Sequence, residues 1–258
     1  MIIYTTKDKA FNKKTSAVNQ PEINQPDCWA FFDKIYCITL ETRSDRTEKA
    51  RKQFENIGVL PRVEFVVVAK HPDNQEKGIF QSHMTCLKKG LKEKARSILI
   101  FEDDVFFRGL DKSALHEACN YLDSGIKWNA FFLGCITDGS KKMEKMHLAK
   151  ITYRCLAHAY ALNQPFAKHF VQKKWRGIPF DELLRRHSMD FYALHPMCAF
   201  QGLSGTDNQT VVIDRMRRML GGLPFIQKAN ELYQNRKAVL LSTMGVVLML
   251  AFLTFRLW

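Results

Sequence analysis

SILIFEDDVFF, residues 97–107, contains an unbroken apolar run (98–101) that passes directly into three adjacent acids. Such a run is typical of a strand that is buried on both faces of a sheet. VEFVVVA (63–69) and AFFLG (130–134) have the same character, and KIYCITL (34–40) is another β-rich run. These four stretches predict the central strands of a sheet that is covered on both sides.

Amphipathic stretches lie between the predicted strands. Asp45 followed by Glu48 is typical of the start of a helix, and Gly58 is typical of its end. A second helix is predicted to begin near Ser82, whose hydroxyl suits an N-cap, and a third covers residues 112–122. Strands that alternate with helices in this way predict a doubly wound α/β sheet.

The second half of the pattern is less regular. Residues 136–150, ITDGSKKMEKMHLAK, are predicted to form a basic loop, and the strand-like ITYRCL (151–156) and HAYAL (158–162) follow it. A helix opened by Pro165 comes next, and a short helix begins at Asp181. These elements complete one predicted α/β domain.

The composition bounds the class of protein. The 258 residues are 46% hydrophobic and 25% charged, so most of the chain is expected to fold. The α/β domain is predicted over residues 33–215, after a flexible arm (1–32) and before a basic linker (216–237). Seven cysteines without CxxC spacing argue against a disulfide framework or a zinc ribbon, and they fit a reducing compartment.

The formal net charge of +13 favours anionic partners such as nucleic acid, acidic lipid or a phosphorylated substrate. The basic runs lack the spaced aromatic residues on which bases stack, and no nucleic-acid-binding motif is present in the sequence. The sequence therefore favours a phosphorylated substrate or a lipid surface over nucleic acid.

Residues 238–255, AVLLSTMGVVLMLAFLTF, contain no charged side chain. As a helix they would extend about 27 Å, close to the thickness of the hydrocarbon core of a bilayer. Arg236 and Lys237 precede them, and Arg256 and Trp258 follow, as interfacial anchors often do. The sequence predicts one transmembrane helix, a single-pass membrane location and a cytosolic catalytic domain; the alternative is a buried core helix.

Glu102, Asp103 and Asp104 come directly after a predicted strand, where open α/β sheets bind their ligands. Along an extended chain Glu102 and Asp104 point to one side and Asp103 to the other. Two carboxylates on one side suit a hard divalent cation that takes its other ligands from water and phosphate. The alternative is a turn whose acids face solvent.

The order of these motifs resembles glycosyltransferase family 25, the lipopolysaccharide-type galactosyl- and glucosyltransferases, which are akin to collagen galactosyltransferase domains. In ITLETRSDR, Arg43 and Arg46 match two spaced arginines of the family, and Thr39 stands where the family has asparagine. The resemblance covers about residues 33–210. The other matching residues are Gly78, Ser82, His83, Glu102, Asp103, Asp104, Leu133, Gly134, His158, Ala159, Tyr160, Pro179, Phe180, Asp181 and Gln201.

This resemblance implies a GT-A type fold, which is a Rossmann-like mixed sheet flanked by helices. It implies transfer of a hexose, galactose or glucose, from a UDP-sugar to a glycan, glycolipid or protein acceptor. Mn²⁺ or another divalent cation would be held on the UDP-sugar diphosphate by Glu102 and Asp104. The donor contacts that the resemblance implies are Thr39, Arg43, Arg46, Gly78, Ser82, His83, Glu102 and Asp103.

An inverting transfer, the outcome that the resemblance implies, needs a carboxylate that deprotonates the acceptor hydroxyl. Asp181 is predicted to be this base, with Glu182 and Asp190 as alternatives. The other interpretation of Asp181 is a helix N-cap.

Two further functions are compatible with the sequence. One is a catalytically degenerate, membrane-tethered binding protein, which the threonine at position 39 favours. The other is a metal-dependent phosphoryl-transfer enzyme that uses the acids 102–104. The sequence has no GxxxxGK[ST] loop and no second acidic cluster, which argues against phosphoryl transfer.

Overall fold

The computed structural model describes residues 4–6, 27–144, 146–202 and 222–236. The strands are β1 (Tyr4–Thr6), β2 (Lys34–Leu40), β3 (Val63–Val68), β4 (Ser97–Glu102), β5 (Val105–Phe107), β6 (Ala130–Phe132), β7 (Ile136–Lys142), β8 (Leu148–Cys155), β9 (Ala159–Asn163), β10 (Phe191–Leu194) and β11 (Ala199–Gln201). The helices are α1 (Ser44–Asn56), α2 (Gln75–Lys92), α3 (Lys112–Asp123), α4 (Gln164–Phe170) and α5 (Phe180–Arg186), with a 3-10 turn over Leu60–Arg62.

Nine of these strands form one mixed sheet in the order β1-β3-β2-β4-β9-β6-β10-β8-β7. Strands β3, β2 and β4 are parallel, and β10 is parallel to β6. Strand β9 lies antiparallel between β4 and β6. The mixed sheet that the resemblance implies is therefore confirmed, whereas a purely parallel doubly wound sheet is not formed.

The four apolar runs form central strands because both faces of the sheet are covered. Along β4, Leu99 and Phe101 pack in one hydrophobic cluster, and Ile98 and Ile100 pack in the other. All four side chains are fully buried. A strand between two cores needs apolar residues at every position, which explains the unbroken runs.

The basic stretch predicted to be a loop forms a β-hairpin instead. Strands β7 and β8 pair antiparallel, with an irregular register near Thr137. Most residues of β7 are partly or fully exposed, so this edge strand has no apolar alternation for a sequence pattern to detect. The short pair β5 and β11 also lacked a sequence signal.

Both segments that flank the predicted domain contribute to the fold where they are described. Within the predicted arm, Tyr4–Thr6 pairs antiparallel with β3, and the side chains of Trp29 and Phe32 are buried in the core. Within the predicted linker, residues 222–236 are helical. Its buried Gln227 donates from Nε2 to the carbonyl oxygen of Ala199 at 2.7 Å. This helical segment therefore packs against the strand that ends at Gln201.

No helix among the described residues is long and apolar enough to cross a membrane. The predicted fold class that includes a transmembrane helix, and the single-pass location derived from it, are therefore wrong for the described part of the chain. Residues 238–255, on which that prediction was based, lie outside the described residues, as does the predicted domain end at residue 215.

Gly134 allows strand β11 to lie against the sheet, and its replacement should be severely destabilising. A Cβ at this position would lie 1.8 Å from the carbonyl oxygen of Ala199. We expect Gly134→Ala to lower the free energy of unfolding by about 3 kcal/mol or more, because backbone has to move. Urea denaturation measures this change.

Gly139→Ala is the matched control for Gly134→Ala. Its Cβ would lie 3.3 Å from the side chain of Thr152, which can rotate away. We expect the control to stay within about 1 kcal/mol of the parent. Equal stability of the two variants would contradict the close approach of β11.

Candidate functional site

A cavity of about 180 Å³ lies at the carboxyl ends of β2, β3 and β4 and beside the first turns of α2. The three strands are parallel, so the residues that follow them meet at one edge of the sheet. Thr39, Val68 and Glu102 reach the cavity from these strands, and Gly78 and His83 reach it from α2. The acids singled out in the sequence therefore lie in a cleft.

Glu102 and Asp104 lie together and apart from Asp103, although β4 ends at Glu102 and the chain turns at Asp103 and Asp104. Gln201 donates from Nε2 to Oδ2 of Asp104 at 3.1 Å and lies 3.5 Å from Oε2 of Glu102. Asp103 points elsewhere: its carboxylate accepts from the Thr39 hydroxyl at 2.9 Å and from Arg46 Nη1 at 3.4 Å. Glu102 and Asp104 thus share one side of the strand end, within reach of one amide nitrogen.

Partial burial and neighbouring acids make the ionised forms of Glu102 and Asp104 unfavourable. Desolvation, followed by repulsion from nearby acids, raises the pKa of Glu102 to about 8. Desolvation and the neighbouring charge of Glu102 raise the pKa of Asp104 to about 7. The positive charge of Arg46 partly offsets the rise in the pKa of each acid. The Oδ1 atom of Asp104 is buried and has no hydrogen-bond partner among the described residues.

These features fit a divalent cation with oxygen ligands. An unsatisfied, buried carboxylate oxygen beside a second carboxylate is costly unless a positive charge compensates it. Among the described residues no group of three or more His, Cys, Asp and Glu side chains is placed to hold a metal ion. Glu102 and Asp104 would therefore supply two ligands, and the rest would come from water and a bound substrate.

His83 is a buried, neutral part of the site. Its Nε2 lies 3.2 Å from Oε1 of Glu102, and its Nδ1 lies 3.0 Å from the hydroxyl of Tyr160. The ring stacks on Phe180 with the ring centroids 4.1 Å apart. Burial lowers the pKa of His83 to about 4, so it carries no charge at neutral pH. Its predicted contact with the donor stays a prediction.

Helix α2 begins earlier than predicted. The side chain of Asn74 is the N-cap and accepts from the amide of Lys77 at 2.8 Å. Ser82 lies two turns inside the helix, where its hydroxyl donates to the carbonyl oxygen of Gly78 at 2.8 Å. The prediction of Ser82 as an N-cap is therefore wrong, because an Asn earlier in the chain performs that role.

The two arginines after β2 differ in position. Arg46 lines the cavity, with only 11% of its side chain exposed, and lies beside Asp103. Arg43 precedes α1 and forms a bidentate contact with Asp45 at 2.9 and 3.1 Å. It is absent from the residues that line the described cavity. Thr39 is buried, and its Oγ1 lies 2.6 Å from that of Thr47.

The opposite wall of the cavity contains residues that the sequence analysis missed. Lys70, His71 and Gln75 line it from the loop after β3 and the first turn of α2. The Nδ1 atom of His71 accepts from the amides of Asp73 and Asn74 at 3.3 and 3.2 Å. Neutral His71 therefore carries its proton on Nε2. The rule that identified Glu102, a polar residue directly after a strand, also applies to Lys70.

The carboxylate of Asp181 connects α5 by hydrogen bonds to β8 and to the connection from β8 to β9. Its Oδ1 accepts from the Tyr153 hydroxyl at 2.6 Å and from the amide of Ala157 at 3.1 Å. Its Oδ2 accepts from the amide of Leu156 at 3.0 Å. These contacts give Asp181 a structural role, while its role as general base stays a prediction. The N-cap position of α5 is occupied by Pro179.

The two alternative bases lie away from the cavity. Glu182 is paired with Arg185 and Arg186 on the surface of α5. Asp190 precedes β10 and pairs with Lys150 at 3.0 Å. Because β10 and β4 run in the same direction, Asp190 lies at the edge of the sheet opposite the cavity.

No family model matches the chain, and no curated protein matches its sequence. Similar solved structures include A197 from STIV, with 13% identity, a TM-score of 0.38, and coverage of 65% of this chain and 85% of that one. A glycosyltransferase involved in the glycosylation of the major capsid of PBCV-1 has 9% identity, a TM-score of 0.37, and coverage of 62% and 80%.

A third similar structure is mannose-1-phosphate geranyltransferase from Thermus thermophilus, with 9% identity, a TM-score of 0.34, and coverage of 62% and 73%. The second and third of these structures are transferases by name, each at 9% identity. Membership of glycosyltransferase family 25 is not shown by them. The likenesses are slight.

Proposed function

We propose that the protein is a glycosyltransferase that takes a hexose from a UDP-sugar with the help of a divalent cation. The observation that carries this proposal is the pair of partly buried carboxylates, Glu102 and Asp104, at the carboxyl edge of the sheet. Their raised pKa values and the unpartnered Oδ1 of Asp104 describe a site that a cation would complete. Resemblance to family 25 supports the same class of reaction.

The residues that line the cavity around the acids suit the phosphates and the nucleobase of a UDP-sugar. Arg46, Lys70 and His71 surround the cavity with groups that can donate to phosphate oxygens. Leu40 and Val68 provide apolar surface of the kind on which a nucleobase packs. The acceptor in this proposal is a glycan, glycolipid or protein, and the transfer proceeds with inversion as in the family.

Glu102 and Asp104 would hold the cation, Mn²⁺ or another divalent metal. When bound, such a cation neutralises the charge that develops on the leaving diphosphate. Arg46 would assist by donating to the same oxygens, and Gln201 holds the two carboxylates side by side. Because His83 is neutral, it adds no positive charge that would repel the metal.

Turnover of UDP-sugars by the full chain tests this function. We expect hydrolysis of UDP-galactose or UDP-glucose in the absence of acceptor, stimulated at least about tenfold by Mn²⁺ over EDTA. Calorimetry with UDP should show binding that strengthens when Mn²⁺ is present. The panel includes other UDP-sugars and a single-stranded and a double-stranded DNA.

Each other outcome of this experiment contradicts the proposal. UDP binding without turnover of any donor would indicate a degenerate binding protein. Cleavage of nucleic acid without turnover of UDP-sugars would indicate a phosphoryl-transfer enzyme that uses the same acids. Turnover that is equal in Mn²⁺ and EDTA would exclude the cation from the mechanism.

A further inference from the structure

Three side chains from three different elements, Tyr160, His83 and Glu102, form a chain of hydrogen bonds. The hydroxyl of Tyr160, on β9, lies 3.0 Å from Nδ1 of His83, on α2. The Nε2 of His83 lies 3.2 Å from Oε1 of Glu102, at the end of β4. The exposed fractions of His83 and Tyr160 are 1% and 0%. His83 and Glu102 both line the cavity, and Glu102 brings the carboxylate to it.

The imidazole of His83 is held in one orientation. Its ring is nearly parallel to that of Phe180, with an interplanar angle of 10°. The ring of Tyr160 lies at 5.7 Å on another side. Tyr160 itself is fixed at the centre of the sheet, where it pairs with Ile100 and Phe132. Rotation of the imidazole would break both hydrogen bonds at once.

The direction of the hydrogen bonds follows from the chemistry of the groups. When Glu102 is ionised, as a ligand of a cation must be, it can only accept, so Nε2 of His83 then carries the proton and donates it. A neutral imidazole then has only Nδ1 left as an acceptor, and the Tyr160 hydroxyl donates to it. This arrangement fixes Oε1 of Glu102 and leaves Oε2 on the side of Gln201 and Asp104.

We propose that Tyr160 and His83 are positioning residues that orient the Glu102 carboxylate for binding the divalent cation. This inference rests on the proposed function in one respect, that Glu102 is a ligand of the cation. Outer partners that hold a ligand in place typically contribute about 10- to 100-fold to metal affinity. Because the carboxylate lies beside a second acid, a freed Glu102 would turn away from Asp104.

Tyr160→Phe removes only the hydroxyl at the far end of this chain. We expect it to weaken the affinity for Mn²⁺, measured by calorimetry on the full chain saturated with UDP, by about tenfold. Affinity for UDP in EDTA should not change. A variant that had only lost packing would not weaken the affinity for Mn²⁺ while keeping the affinity for UDP in EDTA.

Tyr36→Phe is the matched control. The Tyr36 hydroxyl is also buried in the sheet, on β2, and has no hydrogen-bond partner among the described residues. Its removal should leave both affinities unchanged. A loss of Mn²⁺ affinity in the control equal to that in Tyr160→Phe would show that a general loss of packing is responsible, and it would overturn the proposal.

His83→Gln and His83→Leu test the middle of the chain. The glutamine amide can donate to Glu102 near the position of Nε2, whereas leucine cannot. We expect His83→Gln to keep at least about threefold more Mn²⁺ affinity than His83→Leu. Equal affinities in the two variants, or parental affinity in Tyr160→Phe, would overturn the positioning role. Failure of the parent to bind Mn²⁺ would instead overturn the proposed function.

Discussion

Asp104→Asn should abolish cation-dependent turnover of UDP-sugars. The change keeps the size of the side chain and the contact with Gln201, but it removes the negative charge that a cation requires. We expect the rate of hydrolysis in Mn²⁺ to fall by about 10²- to 10³-fold. Initial rates with saturating UDP-sugar measure this loss, and calorimetry should show no Mn²⁺ binding above background.

The same substitution should stabilise the protein when no cation is present. The pKa of Asp104 is raised to about 7 in the folded chain, above its ordinary value of 3.8. Folded protein therefore holds this proton more tightly than unfolded protein, and its stability falls as the pH rises from about 4 through 7. In EDTA at pH 8 we expect Asp104→Asn to raise the free energy of unfolding by about 1 to 3 kcal/mol.

Glu55→Gln provides the control for a lost negative charge, because Glu55 is exposed on α1 and lies outside the cavity. It should change neither turnover nor stability appreciably. Turnover of Asp104→Asn within threefold of the parent would place the cation elsewhere. Reduced stability of this variant in EDTA would contradict the strained carboxylate pair. Lost activity with gained stability is the combination expected of a functional site.

The central strands could be predicted from sequence because their burial on both faces leaves a local pattern. Val63–Val68 and Ser97–Glu102 differ from the predicted stretches only at their ends. The grouping of Glu102 with Asp104, apart from Asp103, was also predicted, although it arises at a turn and not along an extended chain. Each of these predictions depended only on residues that are adjacent in the sequence.

Contacts between residues that lie far apart along the chain could not be predicted from the sequence. Gln201 reaches Asp104 from 97 positions along the chain, and it does so only because β11 pairs with β5. His83 meets Tyr160 across 77 positions. The prediction of Ser82 as an N-cap fails for a related reason. A serine that caps a helix and a serine inside a helix that donates to a backbone carbonyl look alike in sequence. These long-range contacts and the position of Ser82 in its helix become visible only in the folded structure.

Asp181→Asn should destabilise the protein strongly, and its effect on transfer decides whether Asp181 is a base. The carboxylate accepts three hydrogen bonds, two at Oδ1 and one at Oδ2. An asparagine places an amide nitrogen against at least one N–H or O–H donor. We therefore expect the free energy of unfolding to fall by about 1 to 3 kcal/mol, as measured by urea denaturation.

The rate of transfer should fall less than tenfold at a temperature where both proteins are folded. Asp181 is absent from the residues that line the described cavity, and both of its carboxylate oxygens already accept hydrogen bonds. Tyr153→Phe is the control: it removes the 2.6 Å hydrogen bond while the charge stays, and it should reproduce part of the loss of stability. A general base contributes about 10²- to 10⁴-fold. A loss of that size in Asp181→Asn, with normal transfer by Tyr153→Phe, would therefore establish Asp181 as the base.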